Sequence, residues 1–302
     1  MFDVADPRGS LTSLTVATPK GQAAAADYVE FFKFPPADTS AAARTWLARG
    51  QNFVLAYTEA EAGATLGRDA QVDEYMVLLP DRASRVEIST PAEKVVVNGQ
   101  SVVFVPPGKS MIEVQQGGRF IRVFSHPATE LAAQCSNAAS YAQRHPNVAP
   151  LEPWPDPPGG FRVRPYSLDV PADPSRFGRI FRGTTMMVNW SPPRQGPRDT
   201  TKMSPHAHAD FEQCSLVIAG EFVHHLRWPW TTTLAEWRED EHVHVGSPSI
   251  AIIPPPTIHT SQALGSGENL LIDIFCPPRV DFSEKPGWVL NAADYPLPKE
   301  RT

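Results

Sequence analysis

Cysteine is scarce: Cys135, Cys214 and Cys276 are the three in 302 residues. Three scattered thiols can build neither a disulfide framework nor a thiolate metal site. No apolar run reaches the length of a membrane span. The opening MFDVADPRGS is acidic and lacks the basic-then-apolar order of a secretory leader, so a reducing cytoplasm is the expected compartment. The net charge of −6 gives no basic surface for nucleic acid or an anionic membrane. Long helical patterns are few as well. The best formed are 38–49 (DTSAAARTWLAR), opened by an Asp or Thr cap, and 128–143 (ATELAAQCSNAASYAQ), and both are expected to be helices.

What is abundant is proline, 32 residues, placed between short β-like runs where a fixed φ and a missing N–H do least harm. The runs are 51–58, 74–79, 94–105, 119–124, 214–226, 249–253 and 269–275, rich in β-branched residues and closed by Gly, Pro or Asp. Many short strands separated by turn signals indicate an all-β sandwich or barrel.

The Pro-rich stretch 146–160 reads as a linker between a half at 1–145 and a half at 161–302. The halves echo each other. Asp73-Glu74 precedes YMVLLPD, and Glu212-Gln213 precedes CSLVIAG; later, VPPGKSMIEV at 105–114 matches IPPPTIHTSQ at 253–262. Glu74 to Met111 spans 37 positions and Gln213 to His259 spans 46, the difference absorbed by the tryptophan-rich insertion at 228–240.

The segment His206-Ala-His208, four residues, Gln213, six residues, Gly220 resembles the first cupin motif, HxH, three or four residues, Glu, six residues, Gly. Pro254 to His259 resembles the second motif, PxGxxH, with Pro256 where glycine is usual. The resemblance covers the second half directly and the first through the repeat. It implies a bicupin: all-β, two double-stranded β-helix barrels of jelly-roll type with a few short helices, and a metal at the mouth of the second. Barrel edges often pair between subunits in this family, so the resemblance also implies a homodimer. In the first half Gly67 and Asp69 stand opposite the two histidines and Met111 opposite His259. A glycine, a lone Asp and a thioether make a poor site for a divalent ion, so the first barrel is expected to be structural.

Residues 206 and 208 lie two apart, so on a strand both imidazoles share one face, and His259 must arrive from a distant strand. Three neutral imidazoles and an oxygen donor suit one divalent ion, with Fe(II) favoured and Mn, Ni, Cu or Zn also suited, and leave open positions for water or substrate. His242 and His244 in EHVHVG are read as an incidental surface pair. For the fourth ligand two arguments conflict. Plain alternation turns Glu212 inward, whereas the motif spacing selects Gln213, a difference that a bulge between 209 and 212 would reconcile. Gln213 is preferred, and it would leave the ion its full double charge.

The strand after Gly220 carries His224, His225, Arg227, Trp228 and Trp230, and alternation aims either His225 with Arg227, or His224 with Trp228, into the barrel. An inward Arg227 could clamp a substrate carboxylate; an outward one would pair with an acid of EWREDE. Asp273 could support a metal histidine from behind. The chain therefore reads as a metal-dependent enzyme acting on a small oxygenated or carboxylated molecule. The leading expectation is a dioxygenase cleaving an enolisable or aromatic substrate. The alternative is an isomerase of a sugar acid or hydroxy-ketone with Glu212 or His225 as base, and the third is a non-catalytic binding protein.

Overall fold

The computed structural model describes residues 19–171 and 173–298, so the acidic opening segment lies outside the described residues. The chain runs through β1 (Asp27–Glu30), β2 (Asp38–Thr39), β3 (Ala43–Arg49), β4 (Phe53–Ala60), β5 (Thr65–Gln71) and β6 (Tyr75–Leu79). It continues through β7 (Arg85–Ser89), β8 (Lys94–Asn98), β9 (Ser101–Val105), β10 (Gly108–Gln116), β11 (Gly118–Ser125) and the short helix α1 (Thr129–Ala132). Beyond the Pro-rich stretch come β12 (Arg164–Ser167), β13 (Arg179–Arg182), β14 (Met187–Trp190), β15 (Arg194–Gln195), β16 (Gln213–Ala219) and β17 (Phe222–Arg227). The last elements are β18 (Glu241–Val245), β19 (Ser249–Ile253), β20 (Ile258–Ala263), β21 (Glu268–Phe275) and the short helix α2 (Val280–Ser283).

Two barrels result, each made of two facing sheets. The first combines the order β12-β9-β6-β11-β4-β3-β2 with β5-β10-β7-β8; the second combines β1-β19-β16-β21-β14-β13, with β15 also on β21, and β18-β17-β20. The barrels exchange edge strands. β1, from before the first barrel, pairs with β19 of the second, and β12, from after the Pro-rich stretch, pairs with β9 of the first. Each exchanged strand covers a sheet edge that would otherwise present unpaired N–H and C=O groups.

The large sheets are buried on both faces. Leu47, Val54, Tyr75, Val77 and Phe120 fill the first barrel, while Leu55, Tyr57, Leu216, Ile250 and Ile272 form one core between the barrels. This double burial overrides the helical reading of 38–49. Thr45 and Leu47 face one layer and Trp46 and Ala48 the other, and the segment is β2 and β3. Helix propensity from the alanines is a few tenths of a kcal/mol per residue, roughly, and cannot compete with two buried faces. The reading at 128–143 is also corrected: α1 lasts one turn and a 3-10 turn follows at 138–141. The runs 94–105 and 214–226 are each two strands, split at Gly99-Gln100 and Gly220. Gly220 takes φ +84°, and an added Cβ would meet Asn269 Oδ1 at 2.2 Å.

A second repeat marks the seam between the barrels. Arg49-Gly50 ends β3, and Arg182-Gly183 ends β13. The side chain of Asn137 brackets the Arg49 backbone, accepting from its N–H at 2.9 Å and donating to its carbonyl at 2.8 Å. Asn291 does the same for Arg182, at 3.0 and 2.8 Å. The carboxylate of the opposite barrel then closes on each glycine. Glu212 accepts from Gln51 N–H at 2.6 Å, and Glu74 accepts from Thr184 N–H at 3.2 Å and from Tyr295 O–H at 2.6 Å. A Cβ on Gly50 would lie 2.8 Å from Glu212 Oε2, and one on Gly183 2.6 Å from Glu74 Oε2. Burial pushes both carboxyls up to about 7.

Glu74 therefore matches Glu212, not Gln213. Tyr75 and Gln213 hold the equivalent first positions of β6 and β16, opposite Val105 and Ile253.

Candidate metal centre

His206 and His208 lie in an extended segment ahead of β16, and His259 is the second residue of β20. A two-bond backbone bridge joins His206 and His259: N–H to carbonyl distances are 3.1 and 2.8 Å. One ligand nitrogen from each of His206, His208 and His259 falls within 4.8 Å of the other two. Burial pushes His259 down to about 4 and His208 well below its ordinary value, so both are neutral at pH 7.

Hydrogen-bond accounting shows what the cluster lacks. Nδ1 of His259 lies 2.9 Å from the Thr257 carbonyl, and Nδ1 of His206 lies 2.9 Å from that of Ser204. A carbonyl can only accept, so each Nδ1 carries a proton, and in the neutral ring of His259 Nε2 is an acceptor. Gln213 donates through Nε2 to Asp273 Oδ1 at 3.0 Å, which turns its carbonyl oxygen toward the histidines, 2.8 Å from His208 Nε2 and 3.2 Å from His259 Nε2. The Nε2 of His259 and the Gln213 oxygen are thus two acceptors that face each other in a buried space, an arrangement that a cation satisfies. The three imidazoles and the Gln213 carbonyl fit a divalent ion of the borderline class.

The structure brings Gln213, and not Glu212, to this cluster. The phase changes because His206 and His208 precede an irregular turn and Gln213 opens a new strand. Two further expectations need correction. Arg227 is exposed and donates twice to Asp240 of the EWREDE segment, at 2.7 and 2.9 Å. His225 faces outward, with Nδ1 2.8 Å from His242 Nδ1 and Nε2 3.0 Å from Gln262. The register explains both: Leu226 sits opposite His259 and His224 opposite Ser261, so the interior positions are 222, 224 and 226. His224 is buried, with Nδ1 2.9 Å from Ser261 Oγ.

The cluster opens on a cavity of about 560 Å³ whose lining includes His206, Gln213, His259 and Asp273. Arg194 and Arg198 supply positive charge, while Phe177, Phe222 and Leu271 supply apolar wall. Arg198 is held by the Ser261 carbonyl and Ser204 Oγ, each at 2.9 Å. These two arginines escape a sequence reading, since they lie in the proline-rich segment 192–205, which has no periodicity to aim them. Asp273 does carry a signal, a charged residue inside the apolar run LLIDIF.

In the first barrel the residues facing inward at the matching place are not Gly67, Asp69 and Met111. Asp69 is exposed beside Lys109, and Met111 is 37 % exposed. Ser110 and Arg68, opposite each other in the β10–β5 ladder, take the inward positions, and Ser110 Oγ lies 2.9 Å from the Tyr75 hydroxyl. A bulge between Gly108 and Ser110 shifts the phase by one residue.

The sequence matches no family model and no curated protein. Among solved structures, oxalate decarboxylase from Lactobacillus farciminis in a formate complex superposes with TM-score 0.56 at 12 % identity, covering 92 % of this chain and 90 % of that one. A variant of the Bacillus subtilis oxalate decarboxylase gives TM-score 0.56 at 12 % identity, with 91 % and 84 % covered. Another oxalate decarboxylase structure, concerned with substrate binding mode and a reaction-specificity switch, gives 0.56 at 13 %, with 96 % and 90 % covered. At these identities the likeness is one of fold, and the chain is an all-β protein of two cupin-type barrels.

Proposed function

We propose that the chain is a metal-dependent enzyme that acts on a small carboxylate, with His206, His208, Gln213 and His259 as the metal's ligands. The observation that carries this reading is the convergence of acceptor atoms, fixed by Asp273 and two backbone carbonyls, on a cavity that also holds two arginines. A divalent ion bound there would act as a Lewis acid toward a carboxylate oxygen. Arg198 and Arg194 would hold the anionic end of the substrate and steer it into the cavity. Phe177, Phe222 and Leu271 would limit water around the reacting carbons.

The reaction proposed is cleavage of the carbon–carbon bond beside the carboxylate. The matched structures are oxalate decarboxylases, and a cavity of about 560 Å³ accommodates a molecule of oxalate's size or several times larger. The dioxygenase reading, cleavage of an enolisable or aromatic substrate, differs in that O₂ is consumed and both of its atoms enter the products. The isomerase reading loses its two candidate bases, because Glu212 lies at the seam between the barrels and His225 on the outer face.

The test is elemental analysis of wild type and His206→Ala, followed by incubation with oxalate and a panel of small hydroxy- and oxo-acids, with and without O₂. Stoichiometric metal lost in the variant, with CO₂ release or oxygen uptake from one acid, is the expected result. Full metal in His206→Ala would overturn the ligand set. Metal without turnover of any acid would overturn the enzymatic reading.

A further inference from the structure

The first barrel has its own cavity, about 260 Å³, bounded by Thr45 and Leu47 of β3, Ala56 of β4, Arg68 of β5 and Arg122 and Phe124 of β11. Arg122 is the unusual member. It lies inside the barrel, 9 % exposed, with its guanidinium carbon 5.7 Å from the Phe124 ring centroid. Its Nε has no hydrogen-bond partner, and none of the ion pairs among the described residues involves its guanidinium. Arg68 beside it is already committed, to Glu130 and to Gln71. Asp38 lines the cavity and attracts the Arg122 charge through space, yet it is exposed and bonds neither arginine.

The place of Arg122 gives this charge a meaning. It sits opposite Val77 in the β11–β6 ladder, as Asp273 sits opposite Ser215 in the β21–β16 ladder. Tyr75 and Ser110 occupy the positions of Gln213 and His259. The second barrel thus offers neutral ligands backed by a carboxylate, an arrangement made for a cation. The first barrel has none of those ligands and carries a fixed cation at the position that matches the carboxylate. A buried guanidinium costs several kcal/mol to desolvate, roughly, unless an anion or acceptors compensate it. Its five donors form a planar fork that matches a carboxylate.

We propose that the first barrel is a binding site for a small organic carboxylate, held by the Arg122 fork in the cavity between β3, β4, β5 and β11. The cavity lies below the usual 300–1,000 Å³ of drug-sized pockets, roughly, so the ligand has the bulk of acetate or oxalate. Leu47, Ala56 and Phe124 form the apolar floor that keeps the ion pair out of bulk water. The site is independent of the metal centre and needs no metal.

The test is thermal unfolding in acetate and in oxalate against chloride of equal ionic strength. It uses wild type, Arg122→Met, Arg122→Lys and His206→Ala. Wild type is expected to gain about 2–4 °C once the carboxylate exceeds its Kd about tenfold. His206→Ala should keep that gain, Arg122→Lys should need at least about tenfold more ligand, and Arg122→Met should show none. Arg122→Met should also unfold no lower than wild type in chloride, since the exposed Asp38 offsets little of the cost of burying that charge. A gain retained by Arg122→Met, lost in His206→Ala, or matched by chloride would overturn the proposal. Should Arg122→Met fail to fold, Arg122→Lys and wild-type crystals soaked in acetate decide it, an empty cavity being the overturning result.

Discussion

Asp273 sets the orientation of Gln213: by accepting from Nε2 at 3.0 Å it leaves the amide oxygen as the atom that faces the three imidazoles. Ser215 Oγ, 2.9 Å from the same carboxylate oxygen and 3.0 Å from Gln213 Nε2, completes a triangle that holds the amide in place. Partners behind a ligand typically change metal affinity by about 10–100-fold. Asp273→Ala is therefore expected to weaken metal binding by about that factor, measured by competition with a chromophoric chelator. Affinity unchanged in Asp273→Ala would show that Gln213 does not coordinate, or that it needs no support.

His259→Ala should lose stoichiometric metal while remaining folded. The interior of the first barrel and the shared core between the barrels contain no part of the cluster. Elemental analysis and circular dichroism on one preparation separate loss of metal from loss of structure. Retention of a full complement of metal would remove His259 from the site.

Glu74 gives a pH prediction clear of the metal centre. Its folded-state carboxyl is pushed from 4.5 to about 7 by burial, against the opposing pull of Tyr295 and Thr184. Between those values the native state binds more protons than the unfolded state, so its contribution to stability is complete below about 4.5 and is lost as pH rises through about 7. The full loss is about 3 kcal/mol. Glu74→Gln removes this dependence, so the variant should gain on wild type by about that amount between pH 5 and pH 8 in denaturant titrations. Comparing the two proteins at each pH cancels the buried His208, His224 and His259, whose lowered values act in the opposite sense. A variant that instead falls behind at pH 8 would show that the donors around Glu74 favour its ionised form.

Much of this was legible in the sequence because it is local. Alternation and turn residues revealed most of the strands that carry the site, and HxH with a later Pro-rich turn and His259 marked the cluster. Three kinds of feature escape. Segment 38–49 has helical composition, yet the packing of two layers on its two faces makes it strand, and nothing within the segment encodes that. Strand phase is the second. A bulge at the start of β10 and an irregular turn before β16 each displace alternation by one residue, so the pattern points to Met111 where Ser110 stands, and alternation favours Glu212 where the motif spacing favours Gln213. Arg227 beside His225 shows a third limit, since a strand pattern defines two faces without saying which is inside.

The exchanged strand β1 makes the last prediction. It adds to the sheet of the second barrel, and Phe31, the residue after it, stacks on Tyr57 of the first at 5.1 Å between ring centroids. Phe31 is 1 % exposed, while its neighbour Phe32 is 57 % exposed. Truncating a buried phenylalanine costs about 3–5 kcal/mol, whereas an exposed one costs within about 0.5 kcal/mol. Phe31→Ala should therefore lower stability by about 3–5 kcal/mol in guanidinium titrations while Phe32→Ala changes it by no more than about 0.5 kcal/mol. Both residues lie in the same short segment, so a general effect of disturbing the N-terminal arm would move them together. Equal losses would mean that the arm contributes as a strand alone, and a large gap between them would show that Phe31 pins the exchanged strand to the opposite barrel.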